Sequence, residues 1–310
     1  MKVVGIDIAK YHFDLHLLPE GKTARYANTA EGIQPCRLFL DQVRPERIVL
    51  EAPGGYEQAL TVELQAAALP VIVVNPRRVR DYARAMGLLA KTDQIDARVI
   101  AEFAKSPRVQ VRELPDAHAR QRMALLARKH QLVETHVAER NRLEHAVDRM
   151  VVQSIRQLLR LLEKQMAQLD RKIAQRIAAD AQLQRRAEIV DSVPGFAAAT
   201  AALLVTELPE LGRVNRQEIA TLVGVAPMNR DSGQFRGKRL TGGGRVRVRS
   251  ALYMPMLTVI RCNPVIRRFY QRLLDNGKAK MTALVAAMRK LLTILNTMIK
   301  NDQLWNPNIA

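Results

Sequence analysis

The chain has 310 residues, 48% of them apolar, enough for two or three domains with cores of their own. A formal net charge of +19 calls for a polyanionic partner, and DNA or RNA fits better than an anionic membrane because no uncharged apolar run of about 18 residues is present. Two distant cysteines, Cys36 and Cys262, exclude a disulfide framework, and aromatics at 4% are too few for base stacking to be the main grip.

Residues 1–105 read as one α/β unit. Strands are expected at 2–8, 13–18 and 23–26, then a helix at 31–43, a strand at 47–51, a helix at 56–68, a strand at 71–75, and helices around 79–86 and 93–105. Three meandering strands followed by alternating helix and strand predict a mixed sheet with helices packed on it. The N-terminus enters its first strand at once with no signal-peptide pattern, so a cytoplasmic protein is expected.

Residues 104–117 carry Pro107 and Pro115 and read as a connector. Residues 116–180 hold no Gly or Pro and read as helical. Their second half has an apolar stripe, Ile155, Leu159, Leu162, Met166, Leu169 and Ile173, spaced as the seam of a coiled coil. The first half is basic, with Arg120, Arg122, Arg128, Lys129, Arg140 and Arg142; it is either a solvated face or a strut touching nucleic acid.

A third region starts near residue 181. Val193-Pro194-Gly195-Phe196 before an Ala-rich helix looks like a helix-hairpin-helix element, whose turn and helix N-terminus offer backbone N–H groups to phosphate. Gly242-Gly243-Gly244 sits among Arg236, Lys238, Arg239, Arg245, Arg247 and Arg249, with no acid between 236 and 249. With Arg230 these are the candidate nucleic-acid contacts. Residues 250–260 and 279–300 read as amphipathic helices. The division expected is 1–105, 106–180 and 181–310.

Four carboxylates stand out. Asp7 interrupts an apolar strand between Ile6 and Ile8, and Glu51 ends the run Ile48-Val49-Leu50. A strand returning beside the first would make these two neighbours. Asp93 and Asp96, three apart, share one face of a helix start. A lone buried carboxylate costs several kcal/mol unless something positive compensates it. Divalent metal is the simplest compensation in a chain poor in His and Cys; Mg²⁺ prefers oxygen ligands, and two such ions about 3.5–4 Å apart serve phosphoryl transfer. Asp93 also suits a helix start and Asp96 a solvated surface.

The six histidines are scattered, none beyond His145, which disfavours a tyrosine recombinase; His12 and His16 read as surface residues of a strand. Serines are scarce. Ser232, in Asp231-Ser232-Gly233 among arginines, is an accessible hydroxyl and the candidate nucleophile, although by spacing alone such a serine is more often a turn residue; Ser250 is the weaker candidate.

Taken together, the motifs resemble those of the insertion sequence 110 family of transposases, over nearly the whole chain. Gly5-Ile6-Asp7-Ile8-Ala9-Lys10 is similar to the family's first acidic motif, Glu51-Ala52-Pro53-Gly54-Gly55-Tyr56 to its second with Pro53 in place of Thr, and Lys91-Thr92-Asp93-Gln94-Ile95-Asp96-Ala97-Arg98 to its third. Val193-Pro194-Gly195, Gly224-Val225-Ala226-Pro227, Asp231-Ser232-Gly233 and Arg249-Ser250-Ala251-Leu252-Tyr253 follow in the family's order. The resemblance implies an α/β RNase H-like (RuvC-like) N-terminal domain, a coiled-coil insert and a mainly α C-terminal domain. It implies Asp7, Glu51, Asp93 and Asp96 as the Mg²⁺-binding DEDD set and Ser232 as a nucleophile forming a covalent link to DNA. It further implies donor and target DNA, a non-coding bridge RNA, and a homo-oligomer joined through the coiled coil as partners.

Other readings are a Holliday-junction nuclease using water, an actin-like ATPase or sugar kinase, and a non-catalytic nucleic-acid scaffold. The kinase needs a Gly/Thr-rich phosphate loop that Ile8-Ala9-Lys10 does not supply. The scaffold leaves Asp7 and Glu51 without purpose.

Overall fold

Strand β1 (Val3–Ile8) sorts its side chains by parity. Val4, Ile6 and Ile8 are buried on one face; Val3, Gly5 and Asp7 lie on the other. The computed structural model describes residues 1–52, 54–88, 93–107, 109, 115–229, 231–233, 235–237 and 239–307, with the backbone alone for 93–95. It divides into two compact units, Met1–Leu114 and Pro115–Ala310.

In the first unit β1 is joined by β2 (His12–Leu18), β3 (Lys22–Ala27), β4 (Arg47–Glu51) and β5 (Val71–Val74). Among the described residues the sheet order is β3-β2-β1-β4-β5. The first three strands form an antiparallel meander, and β4 and β5 continue parallel to β1. This is the mixed sheet of the RNase H-like, RuvC-like fold. Helices α1 (Ala30–Val43) and α2 (Gln58–Ala66) cover one face, where Ile33, Cys36, Leu40, Leu60 and Leu64 pack against Ile6, Leu15 and Leu50. Burial there pushes the Cys36 thiol up to about 12. Helices α3 (Pro76–Ala85) and α4 (Asp93–Ala104) cover the other, where Val79, Ile100 and Phe103 meet Val3, Val49 and Val74.

The second unit begins with α5 (Ala117–His145) and α6 (Arg149–Ala178). The helical stretch 116–180 breaks at Ala146–Asp148 without Gly or Pro. Asp148 takes the free amides of Met150 and Val151 and restarts the helix. The two helices fold back antiparallel, tied by Lys129 to Asp170 at 2.5 Å and His136 to Glu163 at 3.3 Å. Within the stripe expected on α6, Ile155, Leu162 and Ile173 are buried and Leu159, Met166 and Leu169 half-buried.

The rest of this unit is α7 (Ala181–Asp191), α8 (Ala198–Glu207), α9 (Arg216–Val223), α10 (Val246–Cys262), α11 (Pro264–Asp275) and α12 (Lys280–Lys300). Among the described residues α12 alone is long and apolar enough to cross a membrane, yet ten of its residues are buried in this helical core. Gly195, in the turn between α7 and α8, has φ +96°, and a Cβ there would lie 2.7 Å from the Val259 Cα. Its lack of a side chain lets α10 approach, so helix packing, rather than a phosphate, accounts for that glycine.

Candidate active site

The strand registers place the acids. Ile6 of β1 is level with Leu50 of the parallel β4, so Asp7 and Glu51, one step on, end neighbouring strands side by side. Both have the parity of the face covered by α3 and α4, and both are half-buried. Helix α4 runs back across this face. Its end is pinned by the Arg47 guanidinium, which donates to the carbonyls of Ala104 (2.8 Å) and Ser106 (2.9 Å) near the start of β4. Its middle crosses β1 at Gly5, where a Cβ would lie 2.3 Å from both the Ala97 O and the Ala101 N. The first turn, with Asp93 and Asp96, therefore lies toward the strand ends that carry Asp7 and Glu51.

Topology thus brings Asp7, Glu51 and the first turn of α4, which carries Asp93 and Asp96, to the same end of the sheet. Asp96 is half-buried; the side chain of Asp93 lies outside the described residues. Among the described residues no three His, Cys, Asp or Glu side chains close on one point as a metal cage. The donor set is nonetheless all oxygen, which suits a hard divalent cation that retains waters.

One acid at this edge was not foreseen. Asp14 is the direct cross-strand partner of Asp7 and is only 6% exposed. Arg25 of β3 holds it with two hydrogen bonds of 2.8 Å each, and His12 Nε2 stands 3.8 Å away. The alternation His12, Asp14, His16 was the available signal, since a tight β1–β2 turn puts Asp14 opposite Asp7. His16 corrects the expectation of a surface residue: it is 7% exposed beneath α4. Burial first, then the Arg98 charge, holds its imidazole below the usual histidine pKa, with Glu102 opposing.

Ser232 belongs to the second unit and lies on a β-arm. Strands β6 (Pro227–Met228) and β9 (Leu240–Thr241) pair at its root, and β7 (Asp231–Ser232) and β8 (Phe235–Arg236) toward its tip. Ser232 stands opposite Phe235, and Gly233 after it has φ +55°. All eight of these strand residues are exposed.

The root is clamped. Helix α9 ends in a left-handed Gly224, φ +76°, and a Cβ on Gly244 would lie 2.4 Å from the Gly224 N. Arg249 Nη1 donates to the carbonyls of Val223, Gly224 and Gly243. Arg245 makes two 2.6 Å bonds to Glu210, and Arg247 lies 3.2 Å from Glu207. These three arginines, expected to face nucleic acid, are engaged within the protein. Of the three glycines for which the sequence suggested approach to a polyanion, Gly244 serves close backbone packing, while a Cβ on Gly243 would meet nothing within 4 Å. Arg236 and Arg239 are exposed, and Arg230 and Lys238 lie outside the described residues. Ser250 is exposed on α10.

Comparison with known proteins decides the family. A transposase model of the DEDD type of IS110 elements matches residues 4–152, and the model of the IS116/IS110/IS902 transposase family matches residues 187–271. The chain belongs to the IS110 family of transposases. The pilin gene-inverting protein of Moraxella bovis is 27% identical over 316 residues, 99% of this chain and 98% of that protein. The insertion element IS900 uncharacterized 42 kDa protein of Mycobacterium paratuberculosis is 33% identical over 127 residues, 40% of this chain and 32% of that protein. The solved structure of Thermus thermophilus RuvC is 19% identical, with 33% of this chain and 90% of that one covered at a TM-score of 0.25. As an IS110 transposase the protein is an enzyme of phosphoryl transfer that acts on DNA, in a DEDD group that typically uses a divalent metal.

Proposed function

We propose that this transposase cuts and rejoins the ends of its own mobile element through a covalent Ser232–DNA link. Asp7, Glu51, Asp93 and Asp96 would hold Mg²⁺. Bound there, the ion supplies positive charge to the phosphate oxygens and to the leaving oxygen. The Ser232 Oγ attacks the phosphorus of the scissile phosphodiester. An Oγ–P bond forms, the P–O bond to one DNA strand breaks, and that DNA hydroxyl leaves with a proton. A DNA hydroxyl from the exchanging strand then attacks the phosphoserine and frees Ser232, so bond energy is conserved without ATP.

Arg230, Arg236, Lys238 and Arg239 on the arm would grip phosphates; Arg245, Arg247 and Arg249 hold its root. The sequence division 1–105, 106–180 and 181–310 would then separate metal-binding, spacing and serine-bearing functions. A bridge RNA would select donor and target, and copies would associate through the helical hairpin, in the cytoplasm. DNA inversion, named for the Moraxella relative, is a fitting alternative outcome of the same chemistry.

The observation that supports this reading is Ser232 on an exposed arm, in a chain where Asp7 and Glu51 lie side by side on neighbouring strands. The test combines the full chain, Mg²⁺, DNA spanning the element's own ends and the RNA transcribed beside the gene. A denaturing gel is expected to show DNA attached to protein. Asp7→Asn and Ser232→Ala each abolish strand exchange, and both variants still shift DNA on a native gel. Full recombination by Ser232→Ala overturns the serine role; cleavage with no attached protein favours the water-dependent nuclease.

A further inference from the structure

Phe235 is out of place by ordinary packing rules. The chain has six phenylalanines, and the other five are buried or half-buried. Phe235 is 67% exposed at the tip of the β-arm. Sheltering such a ring from water stabilises a fold, and this chain forgoes that gain.

Its position is specific. Phe235 is the cross-strand partner of Ser232, so the two side chains leave the same face of the arm with Cβ atoms about 4.5–5.5 Å apart. Asp231 and Arg236, the next pair, leave the opposite face. The ten residues 230–239 hold Arg230, Arg236, Lys238 and Arg239 against one acid, Asp231. An apolar ring within such charge matches a polyanion that has an apolar interior, which is stacked duplex DNA. An acidic protein surface would satisfy the charges but offers no slot for the ring.

We propose that Phe235 is a wedge. It enters the base step beside the phosphate attacked by Ser232, unstacks that step and bends the backbone so that the phosphorus faces the hydroxyl. This deepens the covalent-serine reading and rests on it. The ring touches DNA bases but takes no part in bond making.

The experiment measures covalent protein–DNA product from the full chain, with its RNA and Mg²⁺. Two substrates are compared: fully paired DNA, and DNA with a mismatch at the step next to the cut, mapped beforehand from the wild-type product. Phe235→Ala is expected to lose about tenfold or more on paired DNA, in line with the stacking energy of one base, and to recover most of that on the mismatched substrate. Phe235→Trp retains activity on both. Because the ring is exposed, Phe235→Ala should melt at the wild-type temperature. A 2-aminopurine placed at the step brightens on binding wild type or Ser232→Ala, and stays dark with Phe235→Ala.

Wild-type rates for Phe235→Ala on paired DNA overturn the wedge. So does a loss that the mismatch leaves untouched, the result expected of a ring that packs on another protein surface. Product formed by Ser232→Ala would instead sink the serine reading itself and the wedge with it, so the two failures are distinguishable.

Discussion

Asp14 faces Asp7 across the β1–β2 ladder, and two facing carboxylates repel unless one is neutralised. Arg25 does this for Asp14 with its paired hydrogen bonds. Arg25→Ala should cost about 1.5–3 kcal/mol, the range for hydrogen bonds to a charged group, as read by urea unfolding. An unchanged midpoint would show that Asp14 is served by other partners. At this scale the sequence was most legible where a residue opposed its surroundings: Asp7 and Glu51 contradict the strands that hold them. It was least legible where one residue type has two uses. Arg245 and Arg249 look the same on paper whether they meet a phosphate or, as here, Glu210 and the carbonyls at the end of α9. His16 was misread because strand alternation does not reveal that α4 covers the second face.

The packing of α4 on β1 sets the first turn of α4 toward the strand ends that carry Asp7 and Glu51. Gly5 admits the helix backbone, with no space for a methyl group. Gly5→Ala should destabilise the first unit by about 1–3 kcal/mol, the usual cost of overpacking, and push the turn bearing Asp93 and Asp96 away from Asp7. The expected readout is a lower melting temperature together with lost metal-dependent cleavage; a variant that melts normally and cleaves normally would deny α4 that role. The mixed sheet followed from the alternation of strands and helices. The β-arm did not, because its strands are two residues long and carry no periodicity to read. The break between α5 and α6 was hidden for a related reason: only Asp148, acting as a cap, marks it.

At the scale of the whole molecule, the net charge of +19 requires that binding weaken steeply with salt. With 6–10 phosphate contacts, DNA affinity should fall roughly 10³–10⁵-fold between about 50 and 200 mM salt. Arg236→Ala and Arg239→Ala should each lower the slope of log affinity against log salt by about one. Arg245→Ala should leave that slope alone and lower the melting temperature. A reversed pattern would mean that the cations at the root, not those on the arm, meet the DNA.

The clamp around Gly224 and Gly244 has a consequence for reach. Both legs of the β-arm start from one fixed helix end, and each strand residue along a leg extends it by about 3.4 Å. The phosphates of a DNA strand advance by about 3.4 Å each along the duplex axis. On the proposed serine chemistry, the number of residues between that anchor and the Ser232 hydroxyl would set how far along the duplex the arm reaches, and so which phosphate it meets.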